Sequence, residues 1–122
     1  VMNPTLLHGQ VYGGVAMGLG QILMESIHYD ASSGQVVSGS FMDYAMPRAK
    51  DVGEICIQTS PAPTQTNPLG VKGGGESGTI GSLPCVMNAI DDALAGIGAE
   101  SVEMPATSDR IWRSISRAKT VD

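Results

Sequence analysis

The chain has 122 residues, 42% of them hydrophobic and 16% charged, with a formal net charge of −5 and a mean hydropathy of +0.06. That length fits one domain, the composition is not that of a disordered segment, and a globule of this size is expected to bury roughly two-thirds of its unfolded surface around a core. The acidic balance excludes nucleic acid and anionic membranes as main partners, and at 4% aromatic residues there is no platform for stacking bases.

Val1-Met2-Asn3-Pro4 carries no basic leader and no long apolar run, so no signal peptide and a cytoplasmic location are expected. Leu6 to Ile27 is the first predicted helix, with Val11, Val15, Leu19, Ile22 and Leu23 at helical spacing. Its glycines weaken it by up to about 1 kcal/mol each relative to alanine. Gly9/Gly13 and Gly14/Gly18 have the i, i+4 spacing of a small-residue packing seam, which points to close contact with another backbone. A membrane span is disfavoured: the uncharged run from Gly9 to Met24 contains Gln10 and Gln21 and falls short of the ~20 predominantly apolar residues required. His8 and His28 have no partner at i+4 and are not read as metal ligands.

Asp30-Ala31-Ser32-Ser33-Gly34 is a turn signal. Gln35 to Met42 is predicted to be extended, and Pro47 with Arg48-Ala49-Lys50-Asp51 to break it. Glu54 to Thr59 alternates, with Ile55 and Ile57 on one face of a half-buried strand ended by Ser60-Pro61-Ala62-Pro63. Asp43 and Arg48 are read as loop charges satisfied locally.

Gly70-Val71-Lys72-Gly73-Gly74-Gly75-Glu76-Ser77-Gly78-Thr79-Ile80-Gly81 follows, six of its twelve residues glycine. It is a loop with one acid opening onto a helix N-terminus, where free N–H groups favour anionic groups. The phosphate-loop spacing is present from Gly73 to Gly78, but Thr79 stands where the lysine belongs. The G-x-G-x-x-G pattern also occurs there, yet Thr64 to Pro68 before it is a loop and not a strand, so a nucleotide site is the weaker alternative. Val86, Ile90, Ala93, Leu94 and Ile97 predict a helix from Ser82 to Ala95, with Pro84 fitting only near its first turn and Asp91 and Asp92 on its solvated face. Gly96 and Gly98 end it. Val102 to Pro105 is a short extended run. Thr107 caps a last helix with Asp109 in its first turn and Ile111, Trp112 and Ile115 on its apolar side. Cys56 and Cys85 form no C-x-x-C, so neither a zinc nor an iron–sulfur site can be built from this chain, and buried free thiols are expected.

Four ordered segments carry a resemblance to a known family. Val71-Lys72-Gly73-Gly74-Gly75-Glu76-Ser77-Gly78 resembles the C-terminal active-site motif of the molybdenum hydroxylases, the group of xanthine dehydrogenase, aldehyde oxidase and aerobic carbon monoxide dehydrogenase. Asn3-Pro4 with Gly9-Gln10-Val11-Tyr12-Gly13-Gly14-Val15-Ala16-Met17-Gly18-Leu19-Gly20-Gln21 is similar to the glycine-rich helix of their large subunit. Asp43 to Asp51 is similar to the segment that follows, and Met104-Pro105-Ala106-Thr107 with Arg110-Ile111-Trp112-Arg113 to that subunit's ending. The resemblance runs through essentially all 122 residues.

It implies a C-terminal portion (1–122) of a larger molybdopterin-binding domain, α+β in class: a glycine-rich helix, short strands, a helix after the Glu loop and a short last helix. It implies an oxidoreductase that hydroxylates an aldehyde, purine or related small molecule with water as the oxygen source. Glu76 matches the general base. Gln10 matches a glutamine lying against the molybdenum centre, its amide able to donate and accept. Gly73, Gly74 and Gly75 would bring backbone close to the cofactor, a molybdenum–molybdopterin in its dinucleotide form, held by the pterin dithiolene and by no protein metal ligand. At Met17 many members carry a second Gln, so no polar role is assigned there. FAD and [2Fe-2S] centres on other subunits or domains, the remainder of the large subunit and an oligomeric assembly are the implied partners. The competing reading is a non-catalytic packing or binding module, unable to hold the cofactor alone; either way the isolated piece is expected to be inactive.

Overall fold

The computed structural model describes Val1–Lys119. Its elements, in order, are α1 (Pro4–Leu23), α2 (Ala49–Val52), α3 (Ser77–Ala95) and α4 (Ser108–Ala118). Asn3 caps α1, its Oδ1 accepting from the Leu6 N–H at 3.0 Å, and Pro4 sits where its missing N–H costs no helical bond. The helix stops four residues before the expected Ile27: the N–H groups of Met24 and Glu25 both turn back to the Gly20 carbonyl.

α1 and α3 pack backbone to backbone. A Cβ on Gly78 would lie 2.5 Å from the Val11 carbonyl oxygen, one on Gly14 2.9 Å from the Thr79 nitrogen, and one on Gly18 1.8 Å from Ser82 Oγ. The expected seam is therefore made by Gly14 and Gly18, answered by Gly78 and Ser82 on α3. Gly9 and Gly13 stand off it, with nothing within 4 Å of their Cβ positions.

α3 begins at Ser77, a turn and a half before the expected Ser82, so the tail of the glycine motif is helical. Pro84 accordingly lies inside the helix and not in its first turn. The packing of α3 on α1 offsets the hydrogen bond that Pro84 cannot donate.

The extended segments do not make a sheet. Among the described residues the one pairing is an isolated antiparallel bridge, Tyr29 to Val36. It closes the Asp30–Gly34 turn, with Val37 donating to the His28 carbonyl at 2.9 Å. Beyond Val36 the expected extended run turns, the N–H groups of Asp43 and Tyr44 both returning to Ser40 O. Glu54 to Thr59 keeps its alternation, Ile55 and Ile57 half-buried between exposed neighbours, but has no ladder partner among the described residues. The α+β expectation is thus corrected to a helix-rich chain: side-chain alternation is a property of one strand, whereas a sheet needs a second backbone. Val102–Pro105 likewise pairs with nothing in the described residues. Arg48–Asp51, expected to be irregular, includes the single turn α2, where Asp51 Oδ2 accepts from the Arg48 N–H at 2.9 Å.

The core is small. Among the described residues Ile22, Leu94 and Ala106 are the buried hydrophobic ones, while Phe41 is 82% and Met42 93% exposed. The accessible surface is 9007 Å², where a self-contained protein of this mass exposes about 6,200 Å². About half of the unfolded surface is buried, short of the expected two-thirds. Trp112, expected on the apolar side of α4, is 64% exposed; the buried position of that helix is Ser114, whose Oγ donates to the Glu100 carbonyl at 2.5 Å. Asp91 is half-buried and not on a solvated face, and its Oδ1 has no hydrogen-bond partner among the described residues. Cys56 and Cys85 are free, as expected, but exposed: each was to fill a core that this chain does not complete.

Candidate functional site

The segment before Glu76 is built by one side chain that the motif did not single out. Asn67 Oδ1 accepts from the N–H groups of Leu69 (3.1 Å) and Val71 (3.2 Å), and its Nδ2 donates to the Val71 carbonyl at 3.0 Å. Its own carbonyl accepts from Gly70 N at 3.1 Å, and Gly70 O accepts from Thr64 N at 3.1 Å. Gly70 has φ +64, a conformation that suits glycine. The sequence signal for this was present in Asn67-Pro68, a turn-starting pair. That the asparagine would grip Val71 at both backbone groups follows only from the folded loop.

From Val71 the chain runs through Lys72, Gly73 and Gly74, with Gly74 lying against Leu7 of α1: a Cβ there would be 3.1 Å from Leu7 Cδ1. At Gly75 it is caught again. Gln10 Nε2, on the first turns of α1, donates to the Gly75 carbonyl at 2.7 Å across 65 residues of sequence. A carbonyl only accepts, so the amide nitrogen must face it, and the amide oxygen is left without a partner among the described residues. Glu76 follows as the N-cap of α3, its carbonyl accepting from Ile80 N at 3.0 Å. Its side chain is exposed and makes no hydrogen bond or ion pair among the described residues.

The two helices open around this point into a cleft of about 470 Å³. One wall is the 9, 13, 17 face of α1 with Gln10 and Gly14; the other is Gly75, Glu76, Thr79 and Ile80. Gln10, Gly75 and Glu76, the residues singled out from sequence, thus share one cleft. Gly73 lines a different hollow, of about 460 Å³, with Lys72, Leu69 and Pro61 to Pro63, and Gly74 lines neither. Gly9, Gly13 and Gly75 have nothing within 4 Å of their Cβ positions. The cleft is therefore a bare-backbone cradle, polar where Gln10 and Glu76 stand and apolar where Met17 and Ile80 stand.

The second family-like segment braces α1 from outside. Tyr44 Oη donates to Glu25 Oε2 at 2.5 Å, and that bond holds the phenol's pKa above its usual value. A Cβ on Gly20 would meet both Glu25 Oε1 (2.2 Å) and Pro47 Cδ (2.8 Å). Tyr12 donates to the Gly53 carbonyl. Asp43 accepts from Ser40 Oγ at 2.8 Å, the local satisfaction expected of it. Among the described residues no group of three or more His, Cys, Asp and Glu is arranged to hold a metal ion, and none of the helices is long and apolar enough to cross a membrane.

A glycine-rich helix and an acid loop thus meet in one cleft, and comparison with known proteins shows what this chain is similar to. Residues 1–53 match the family described as the molybdopterin cofactor-binding domain. Over 112 residues the chain is 35% identical to the carbon monoxide dehydrogenase large chain of Afipia carboxidovorans, covering 92% of this chain and 14% of that one. Over 114 residues it is 38% identical to the nicotine 6-hydroxylase large subunit of Paenarthrobacter nicotinovorans, covering 93% and 14%. The crystal structure of quinoline 2-oxidoreductase from Pseudomonas putida 86 superposes with a TM-score of 0.88 at 40% identity, covering 95% of this chain and 15% of that one.

The chain belongs to the molybdenum hydroxylase large-subunit family and matches one part of that subunit. It spans about one-seventh of the length of these relatives.

Proposed function

We propose that this chain is the C-terminal portion of a molybdopterin-binding domain and supplies one wall of the active site of a hydroxylating oxidoreductase, with Glu76 as its general base. The observation that carries the reading is the Gln10–Gly75 hydrogen bond, which joins the two most family-like segments one residue from Glu76, the only carboxylate among the described residues that line the cleft. The residues present fit the cofactor: open backbone at Gly9, Gly13 and Gly75 leaves room for a flat group, and the unpartnered amide oxygen of Gln10 adds a polar contact. Gln10 and the Gly75 backbone would hold the molybdenum–molybdopterin, taken in its dinucleotide form, whereas Gly73 and Gly74, also expected to approach it, lie outside this cleft. When bound, the cofactor supplies the redox chemistry of hydroxylation, with water as the oxygen source.

What this chain does is proton handling and orientation. A general base needs an unshared carboxylate within reach of the proton that it removes. Glu76 meets the first condition, since no donor among the described residues occupies its oxygens. Its backbone is held on both sides, by the Gln10 bond at Gly75 and by α3 from Ser77 on. Met17 on the α1 wall and Ile80 on the Glu76 wall present apolar surface to the cleft. The substrate class is an aldehyde, purine or related heterocycle, delivered to a site completed by the remainder of the subunit. FAD and [2Fe-2S] partners, an oligomeric assembly and a cytoplasmic setting complete the reading.

Glu76→Gln in the full enzyme tests it. Molybdenum content should be unchanged and turnover should fall more than about 100-fold, the size of a general-base contribution. Normal turnover in that variant ends the assignment.

A second reading is favoured by the 9007 Å² of exposed surface. By itself the chain is a packing module that completes a site only when docked on the rest of the subunit. Near-stoichiometric molybdenum in the 122-residue piece alone would refute that reading.

A further inference from the structure

Building on the reading of Glu76 as the base, we propose that Asn67 is a positioning residue for it, fixing the upstream end of the glycine segment whose downstream end Gln10 fixes. The segment's hydrogen bonds show why two anchors are needed. Asn67 satisfies both backbone groups of Val71, the N–H at 3.2 Å and the carbonyl at 3.0 Å. The next hydrogen bond along the chain is the one Gly75 accepts from Gln10 at 2.7 Å. Between them Lys72, Gly73 and Gly74 make no hydrogen bond among the described residues, and two of the three are glycine, the residue with the most backbone freedom to lose. A short flexible span held at both ends has few paths. Released at Val71, it has many, and the Gly75 carbonyl that Gln10 grips becomes the end of a loose tether.

Asparagine suits this place on chemical grounds. One side chain must accept from two N–H groups and donate to a carbonyl, which an amide does from two separate atoms, whereas an ionised carboxylate has no proton to donate. Pro68 helps: it has no N–H to compete for Oδ1, and it disfavours helical backbone at Asn67. Asn67 is half-buried, so these bonds are partly shielded from water. Val71 also lies on the wall of the neighbouring 460 Å³ hollow, outside the Glu76 cleft, so Asn67 acts on the base through the backbone and not by contact.

The test uses the full holoenzyme and three variants. Asn67→Ala removes all three side-chain bonds. Asn67→Asp keeps the two acceptor bonds and loses the donor to Val71 O. Gln65→Ala, in the same exposed loop, is the control. The expected result for Asn67→Ala is kcat lowered by at least about tenfold, as small misplacements of a catalytic group do, with KM within about twofold and molybdenum content unchanged. Hydrogen exchange in the peptide spanning 69–75 should quicken by about tenfold or more while α1 and α3 stay as protected as in the wild type. Asn67→Asp should fall between, and Gln65→Ala should match the wild type. The proposal is overturned if kcat of Asn67→Ala stays within twofold, if kcat falls only in step with molybdenum content, or if the faster exchange spreads over the whole chain. Should Asn67→Ala fail to assemble, the same split between kcat and KM and the same local exchange are required of Asn67→Asp. Glu76→Gln run alongside separates the two ideas. A fully active Glu76→Gln sinks the base assignment and this proposal with it, whereas an inactive Glu76→Gln beside a fully active Asn67→Ala sinks the positioning role alone.

Discussion

Gly78 and Gly81 sit three residues apart on α3, and replacing each by alanine should move the structure in opposite directions. At Gly78 the new methyl would lie 2.5 Å from the Val11 carbonyl oxygen and 3.2 Å from Val11 C and Cα, all main-chain atoms that cannot swing aside. Relief requires α3 to back away from α1 by up to about 0.9 Å, the shortfall from the 3.4 Å at which ordinary contact begins. Overpacking of this kind costs about 1–3 kcal/mol. At Gly81 nothing lies within 4 Å of the Cβ position, so alanine there should only remove unfolded-state freedom and stabilise by about 0.5–1 kcal/mol. The two variants should therefore differ by about 1.5–4 kcal/mol, although residue type, substitution and helix are the same. Amide exchange of α3 in the holoenzyme reads the local stability directly. Faster exchange than wild type is expected for Gly78→Ala and slower for Gly81→Ala. Equal rates in the two variants would refute the argument that backbone contact, and not helix propensity, holds α1 and α3 together.

Gly13 separates stability from function: it lies in α1 with open space at its Cβ position and lines the Glu76 cleft. Gly13→Ala should slow amide exchange in α1, as a better helix former does, yet lower the molybdenum content of the enzyme several-fold; full cofactor loading would show that the cradle is not used. The Asp30 turn gives a pH prediction. Hydrogen bonds from the Ser32 and Ser33 hydroxyls, with the Ser33 N–H, hold the Asp30 carboxyl down at about 2 from an ordinary 3.8. A depressed acid favours the folded turn above its unfolded value, so this contribution is complete above about pH 4 and is lost as pH falls through about 2. Carboxyl NMR should show that low midpoint and its return toward 3.8 in Ser32→Ala, the largest donor removed; an unchanged midpoint would refute the cause.

Local chemistry made much of this readable from the chain. Asn3-Pro4 marks the start of α1 because a capping side chain and a proline with no N–H to lose act within one turn. The apolar spacing around Val86 and Leu94 finds α3, and Thr107 finds the N-cap position of α4, though its side chain makes no capping bond. The motif residues Gln10, Gly75 and Glu76 were legible as chemistry, and the fold brings them to one cleft.

Long-range facts decided the rest. The sequence makes Gly9, Gly13, Gly14 and Gly18 equivalent by spacing; only the azimuth of α3 around α1 divides them into a packing seam and an open cradle. Ile55 and Ile57 alternate as a strand should, but pairing depends on a second backbone that alternation cannot reveal. Trp112, Cys56 and Cys85 look like core residues because apolar side chains favour burial, yet burial needs an opposing surface, and about 9,000 Å² of this chain stays exposed. Composition and local spacing thus located α1, α3 and α4, since both act over a few residues, and the motif resemblance singled out Gln10, Gly75 and Glu76. The approach of α1 to α3 determined where those residues meet, since a contact spanning 65 positions, such as Gln10 to Gly75, depends on the path of all the chain between.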